Sequence, residues 1–151
     1  MEITTEAVKE LRDKTGISVM ECKKALVEAD GDMDKAMEVL KTRSAAMVAK
    51  KSDRELAAGT VVSYIHNAGQ VGSMVVLCSE TDFVSKNPEF EALARDIAMH
   101  VAAMRSESVE ALLAEAFIKD PSKTIADLLA GATQKFGERV EVSKISCLAV
   151  H

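Results

Sequence analysis

The segment TVVSYIHNAGQVGSMVVLC, from Thr60 to Cys78, decides the fold class of this 151-residue chain. Its two outer stretches are rich in β-branched residues, and the residues from Asn67 to Gln70 between them have the composition of a turn. Two strand-like stretches joined by a short turn predict a β-hairpin. We therefore expect an antiparallel sheet in a chain whose flanking segments have helical patterns.

Both faces of the predicted hairpin are largely apolar. An antiparallel sheet normally turns one polar face to water. Helices can cover one of the two faces, so the other face requires a second cover. The two faces are expected to carry, respectively, Val61, Ile65, Val71, Val75 and Leu77, and Val62, Tyr64, Met74, Val76 and Cys78.

Downstream of the hairpin the sequence predicts helices and a third strand. Asn87-Pro88-Glu89 combines a cap, a proline in the first turn and an acid at the positive end of a helix dipole, which is typical of a helix start. The predicted fold class is α+β, with a three-stranded antiparallel sheet and packed helices. The expected elements are a long helix with a buried face from Phe90 to Met104, a short helix from Ser108 to Phe117, a helix from Ile125 to Phe136 that Gly137 ends, and a strand from Val140 to Val150.

Upstream of the hairpin the sequence predicts a compact module of three short helices. Gly16 ends the first helix, Ser18 opens a capping box at the start of the second, and Asp32 caps the third. A change of composition near the end of this module predicts two domains. These are a module with a linker helix at residues 1–52 and an α+β core at residues 53–151.

Composition excludes several classes of protein. Apolar residues make up 48% of the chain, enough for a core, but no apolar run is long enough to span a membrane. The start MEITTEAVKEL has neither a signal-peptide nor a transit-peptide pattern, so a cytoplasmic protein is expected. The net charge is −5 and the basic residues are spread among acidic ones, which argues against direct nucleic-acid binding.

The sequence offers little support for catalysis or for a cofactor. Three cysteines without a CxxC pair are typical of free thiols in a reducing compartment. The glycines are scattered, so no phosphate-binding loop is predicted, and Glu80 with Asp82 is a poor metal site without further ligands. A thiol enzyme would have to pair one of Cys22, Cys78 and Cys147 with one of His66, His100 and His151.

Two apolar features stand outside the predicted core. Val19 and Met20, near Arg12, form either an interaction patch or a hydrophobic staple of the second helix. In the segment TDFV, Thr81 to Val84, an aromatic residue follows a carboxylate at the junction between two elements. Phe83 either packs beneath the long helix or contacts a partner, and packing is the commoner place for an aromatic side chain.

Several spaced motifs resemble the elongation factor Ts family, the nucleotide exchange factors of elongation factor Tu. The chain departs from the family pattern where Cys78-Ser79 replaces Asn-Cys, where Ser18 replaces a glycine, and where Arg139 replaces the asparagine of a GEN motif. It also resembles a short form, without the second core half and coiled coil of long members. The matching motifs are LRDKTGISVMECKKALVEADGDMDKAMEVL, YIHNAGQVG, ETDFVSKNPEF, IAMHVAA and FGERVEV.

The resemblance implies a guanine nucleotide exchange factor in translation elongation, which is not an enzyme and uses no cofactor or metal. In that family the TDFV turn inserts into the GTPase domain of elongation factor Tu and disturbs its Mg²⁺ and phosphate site. Phe83 would act as the wedge. The implied partner-binding residues are Thr81, Asp82, Phe83 and Val84 in the turn, Arg12, Val19 and Met20 in the helical module, and more weakly His66, Phe136 and Gly137.

Two other functions and one assembly state stay open at this point. The three-helix module resembles a ubiquitin-associated fold, so an adaptor is a second hypothesis, which leaves the α+β core unexplained. A thiol-dependent enzyme is the third hypothesis. The uncovered apolar face of the hairpin also predicts a homodimer, although the polar residues of the third strand limit that face; these are Glu141, Ser143, Lys144 and Ser146.

Overall fold

A computed structural model describes residues 2–151 of the chain. Contacts between residues divide it into two compact units. The N-terminal unit comprises the chain up to Ser52 together with Ala130–Gly137, and the sheet unit comprises Asp53–Leu129 and Glu138–His151. Within residues 2–151, no helix combines the length and the apolar character needed to cross a bilayer.

The part of the N-terminal unit that precedes the sheet contains three helices, each started by a side-chain cap. Thr4, Ser18 and Asp32 accept hydrogen bonds from the first-turn amides of the helices that follow them. Gly16 ends the first helix in the left-handed conformation that glycine adopts without strain, with φ 70°. The helices are α1 (Thr5–Thr15), α2 (Val19–Glu28) and α3 (Met33–Lys50).

Helix α3 includes the expected linker helix. The third helix of the module and the linker therefore form one continuous helix up to Lys50. No glycine or proline interrupts this stretch, and most of its residues favour helix. The three helices pack around a core with Leu11, Cys22 and Leu26 at its centre, all three fully buried. The hydroxyl of Ser44 is hydrogen-bonded to the side chain of Gln134, which belongs to the same unit.

The sheet unit is built on an antiparallel sheet of three strands, as expected. The strands are β1 (Ala58–His66), β2 (Val71–Ser79) and β5 (Glu141–Ala149). The strand order is β1-β2-β5, and both pairings are antiparallel. Three consecutive residues of the turn between β1 and β2 have positive φ: Asn67, Ala68 and Gly69.

The expected assignment of side chains to the two faces of the sheet is wrong for β1. Val62 pairs with Val75, and Val61 pairs with Val76, so even-numbered residues of β1 share a face with odd-numbered residues of β2. The turn determines which residues of β1 lie opposite which residues of β2. The alternation of side chains within each strand does not reveal this register. We call the uncovered face the open face. Its most exposed apolar side chains are Val61, Ile65, Met74 and Leu148.

The other face of the sheet is covered mainly by the long helix α5. Asn87 caps this helix through its side-chain oxygen, as the Asn-Pro-Glu sequence predicts. Phe90, Ile97 and Val101 on α5 are fully buried. The helices of this part of the chain are α4 (Asp82–Ser85), α5 (Pro88–Met104), α6 (Val109–Ala114) and α7 (Ile125–Phe136).

The expected helix from Ser108 to Phe117 ends early, and a small hairpin follows it. Helix α6 stops at Ala114, and strand β3 (Ala116–Phe117) pairs with β4 (Asp120–Thr124). Where the helix ends, the side chain of Glu115 makes contacts with residues distant in sequence. Glu115 accepts a hydrogen bond from the Ser106 hydroxyl at 2.5 Å, and its Oε1 lies 3.1 Å from Nε2 of the fully buried His100.

Candidate functional site

The Asp82-Phe83 turn presents an aromatic side chain to solvent. It forms the first residues of α4, which begins three positions after the last residue of β2. Phe83 is 92% exposed, whereas Val84 and Ser85 on the same turn are buried. Phe83 therefore does not pack beneath the long helix, and the packed alternative from the sequence is wrong. The aromatic side chain that does fill that core is Phe90, with no exposed surface.

Two carboxylates hold the backbone just before this turn. The Glu138 carboxylate accepts hydrogen bonds from the amide of Thr81 at 2.9 Å and from its hydroxyl at 2.6 Å. The Glu80 carboxylate accepts the amide of Arg139 at 2.6 Å. We call these four residues and their three hydrogen bonds the carboxylate latch. Asp82 itself is exposed and begins α4.

The carboxylate latch continues the pairing of strands β2 and β5 beyond their ends. The last paired residues are Cys78 and Glu141. The same register sets Glu80 opposite Arg139 and Thr81 opposite Glu138. Side-chain carboxylates there take the place of the backbone carbonyls that normally accept such amides.

Sequence reasoning missed Glu138 as a part of this site. The residues of the latch lie far apart in sequence, and pairing of the two strands was needed to bring them together. Glu80 has no metal-ligand role in this arrangement of the described residues. Its side chain instead accepts the amide of Arg139, and within residues 2–151 no group of three or more histidine, cysteine or acidic side chains is arranged to hold a metal ion.

The Arg139 side chain makes its own contacts at the start of β5. Its guanidinium donates to the backbone oxygen of Arg54 at 2.6 Å and to the carboxylate of Glu141 at 2.8 and 3.0 Å. These bonds attach the segment that leads into β1 to the start of β5. The backbone amide of Arg139 donates separately, to the Glu80 carboxylate.

In the N-terminal unit, the start of α2 exposes an apolar strip. Val19 is 51% and Met20 is 66% exposed, because Ile17 and Cys22 on either side of them occupy the core. Arg12 on α1 is also exposed. Val27, two turns after Met20, extends the strip and is 57% exposed. Its spacing of seven residues from Met20 was a signal that sequence reasoning did not use.

The remaining predicted site residues have defined surroundings within their own units. His66 is exposed and stacks on Tyr64, with ring centroids 5.8 Å apart. Phe136 is half-buried, and the Lys135 ammonium lies 5.6 Å from the centre of its ring. Gly137 has φ 71°, and its amide closes α7 by donating to Thr133 at 2.9 Å.

The thiols do not form a catalytic pair in the described part of the chain. Cys22 is fully buried, its thiol donates to the backbone oxygen of Ile17, and burial raises its pKa. The Cys78 thiol donates to the hydroxyl of Ser143. The ring of His100 contacts Glu115 and Phe117 rather than a cysteine. A deeply buried thiol with a raised pKa is a poor nucleophile.

Comparison with known proteins agrees with the motifs. A family model described as elongation factor TS matches residues 80–151, which contain the turn and the whole carboxylate latch. Elongation factor Ts of Alkaliphilus oremlandii is 39% identical over 191 aligned positions, which cover 97% of this chain and 88% of that protein. The chain belongs to the elongation factor Ts family.

Other members of the elongation factor Ts family match over similar shares of this chain. The factor of Acetivibrio thermocellus is 42% identical over 91% of this chain and 71% of its own length. That of Clostridium kluyveri is 42% identical over 98% of this chain and 48% of its own length. The 191 positions aligned with the Alkaliphilus protein exceed the 151 residues of this chain, so that relative carries residues without a counterpart here. Membership of the family supports a role in translation elongation.

Proposed function

We propose that this protein is a guanine nucleotide exchange factor that binds elongation factor Tu in its GDP form and promotes GDP release. The observation that carries the proposal is Phe83. An aromatic side chain that is 92% exposed on a turn fixed by three hydrogen bonds has no role in the core of its own unit. A large exposed aromatic on a rigid support is suited to act as an anchor in a partner's pocket.

The mechanism is a coupling between two binding events. GDP is held through its phosphates and Mg²⁺, and Mg²⁺ demands near-ideal octahedral geometry. Insertion of Phe83, with Asp82 beside it, shifts the partner's elements and disturbs that geometry. By thermodynamic linkage, the nucleotide must weaken the exchange factor as much as the factor weakens the nucleotide. The protein therefore needs no catalytic residue, metal or cofactor of its own.

The N-terminal unit supplies a second contact with the same partner. Val19 and Met20 offer an exposed apolar strip, and Arg12 offers a charge. We propose that residues 1–52 dock on the GTPase as a module similar to ubiquitin-associated domains, and that residues 53–151 form the core. His66 and the Phe136-Gly137 pair are weaker candidates for contacts. Val84 is buried, so it would act by supporting the turn.

The open face supports the proposal of a homodimer. Ile65 is 67% and Met74 is 53% exposed there, on a face that a lone antiparallel sheet normally keeps polar. In a dimer with two-fold symmetry, the open face of one copy would pack against the open face of the other and cover it. Lys144 and Ser146 of β5 pair with residues of this face and confine its apolar part to β1, β2 and Leu148. The protein would act in the cytoplasm, without contacting membranes or nucleic acid directly.

The main proposal is tested by GDP release. Elongation factor Tu is loaded with a fluorescent GDP analogue, and its release into excess unlabelled GDP is followed with and without the protein. Sub-stoichiometric protein is expected to raise the release rate in proportion to its concentration. An unchanged rate at a large excess of the protein would refute the proposal.

The two competing functions make different predictions in the same assay. A ubiquitin-associated adaptor would not alter GDP release, and the exposed strip of its helical module would be its whole binding site. A thiol enzyme would depend on its cysteines. A variant with Cys22, Cys78 and Cys147 all replaced by serine is expected to retain exchange activity, because none of the three is among the proposed partner-binding residues.

A further inference from the structure

The carboxylate latch connects the end of one strand to the beginning of another at the point where the Phe83 turn begins. Strand β2 ends at Ser79 and α4 begins at Asp82, so Glu80 and Thr81 are the whole connection. The direction in which the chain enters α4 is set in these two residues. Both are bound by the latch, Glu80 through its side chain and Thr81 through its amide and its hydroxyl.

Thr81 is held on several sides. Its amide and its hydroxyl both donate to Glu138, and its backbone oxygen accepts a hydrogen bond from the Ser79 hydroxyl at 3.0 Å. Thr81 stands at the N-cap position of α4, yet its side chain makes no cap hydrogen bond. A threonine at this position normally uses its hydroxyl to cap the helix. Here the hydroxyl donates to the Glu138 carboxylate instead. Thr81 therefore contributes to the conformation of the turn and not to capping of α4.

Phe83 has no comparable support from its own side chain. At 92% exposure the ring packs against almost nothing within its unit. Its position therefore depends on the backbone of the turn, which the latch holds on one side and the buried side chain of Val84 on the other. A side chain that is already held in its binding conformation loses less entropy on binding.

We propose that Glu138, together with Glu80, is a positioning residue that holds Phe83 in its partner-binding orientation before the partner is met. The positioning role rests on the proposed function, because an oriented Phe83 matters only if it inserts into a partner. When the latch is broken, the fraction of molecules with Phe83 in place falls. The apparent affinity for the partner then falls by the same fraction, while the rate of GDP release in the saturated complex is retained.

The test compares the wild type with Glu138→Ala, Glu138→Gln and the control Glu107→Gln. Glutamine keeps one acceptor oxygen and can retain one of the two bonds to Thr81, so it should rank between alanine and the wild type. Glu107 is exposed in the same unit, and its substitution removes the same charge without touching the latch. Two measurements are made on each variant. They are hydrogen exchange of the Thr81 amide in the isolated protein, and GDP release from elongation factor Tu against protein concentration.

In Glu138→Ala the Thr81 amide is expected to exchange about tenfold faster, which corresponds to the loss of about one net hydrogen bond. The concentration that gives half-maximal GDP release is expected to rise about three- to tenfold, with the maximal rate unchanged. Control Glu107→Gln should match the wild type in both measurements. A purely structural role for Glu138 would lower thermal stability without moving the half-maximal concentration.

Three results would overturn the positioning role. The first is unchanged Thr81 exchange in Glu138→Ala, because the latch would then not hold the turn. The second is faster Thr81 exchange with an unchanged half-maximal concentration, because the latch would then not serve binding. The third is a wild type that never stimulates GDP release. That result rejects the proposed function and with it the use of the latch in binding, whereas the exchange data on the isolated protein still decide whether the latch holds the turn.

Discussion

Truncation of Phe83 to alanine should weaken binding to elongation factor Tu and leave the stability of the fold almost unchanged. Because the ring is 92% exposed, its removal creates no cavity and takes away almost no packing. The free energy of unfolding is therefore expected to change by less than about 0.5 kcal/mol. In the complex with elongation factor Tu the same ring would be a buried aromatic anchor, and its loss typically costs about 2–4 kcal/mol of binding. This loss corresponds to an increase in Kd of about 30- to 1,000-fold.

The chain offers a matched control for this substitution. Phe90 lies seven residues further along and has no exposed surface. Phe90→Ala should destabilise the fold by about 3–5 kcal/mol, because it removes a packed ring from the core. The two variants thus delete the same side chain from opposite environments. Urea unfolding should distinguish Phe90→Ala from the wild type and leave Phe83→Ala close to it.

The assay is release of a fluorescent GDP analogue from elongation factor Tu, measured as a function of protein concentration. Phe83→Ala should require far more protein for the same stimulation. Its maximal rate should also be lower, because the group that disturbs the nucleotide site is missing. The reasoning is refuted if Phe83→Ala stimulates release as well as the wild type does, or if it unfolds at clearly lower urea concentrations.

Three further predictions concern other parts of the molecule. Deletion of residues 1–52 should weaken binding to elongation factor Tu. The remaining chain should still unfold in one cooperative transition, measured by circular dichroism, and loss of that transition would mean that the two parts fold as one domain. The wild type should sediment as a dimer and Met74→Lys as a folded monomer, because Met74 lies on the central strand of the open face; a wild type that is still monomeric at high micromolar concentration would exclude the dimer. In the native protein at neutral pH, iodoacetamide should label Cys147 well before Cys22, which is fully buried and whose thiol pKa is raised by that burial. Mass spectrometry of the labelled peptides gives the order, and labelling of Cys22 as fast as Cys147 would contradict the prediction.

The elements that sequence patterns predicted well are those with local causes. Ser18, Asp32 and Asn87 each cap a helix through a hydrogen bond to an amide two or three residues away. Such a bond depends on a few neighbouring residues, so the sequence around it is enough. The strands of the hairpin follow similarly from their β-branched residues and from the turn at Asn67 and Gly69.

Structural features that depend on residues distant in sequence could not be predicted from the sequence. The backbone of the turn sets which residues of β1 and β2 share a face, so Val61 and Ile65 lie on the face opposite to Val75, with which they were grouped. At the end of α6, just before the small hairpin, Glu115 contacts His100, which lies fifteen positions away in sequence. Glu138 accepts hydrogen bonds from Thr81, which lies fifty-seven positions away in sequence. No short pattern signals these contacts, because the partner residues are neighbours only in the packed arrangement of the sheet and its helices.

The exposure of Phe83 lies between these two cases. Composition and spacing favoured a packed ring, since most aromatic side chains in small domains are buried. The resemblance to the elongation factor Ts family pointed to the opposite placement. The structure exposes the ring because Val84 and Ser85 take the inward positions of α4, and Phe90 occupies the core below the long helix.

The central claim is that this protein and GDP oppose each other's binding to elongation factor Tu. The most direct measurement is the affinity of the protein for nucleotide-free elongation factor Tu and for its Mg²⁺·GDP form, by titration calorimetry under the same conditions. We predict that the nucleotide-free form binds more tightly by at least about tenfold, and that GDP affinity falls by the same factor when the protein is bound. Equal affinities for the two forms would contradict the claim, because a factor that binds both states equally cannot shift the nucleotide equilibrium.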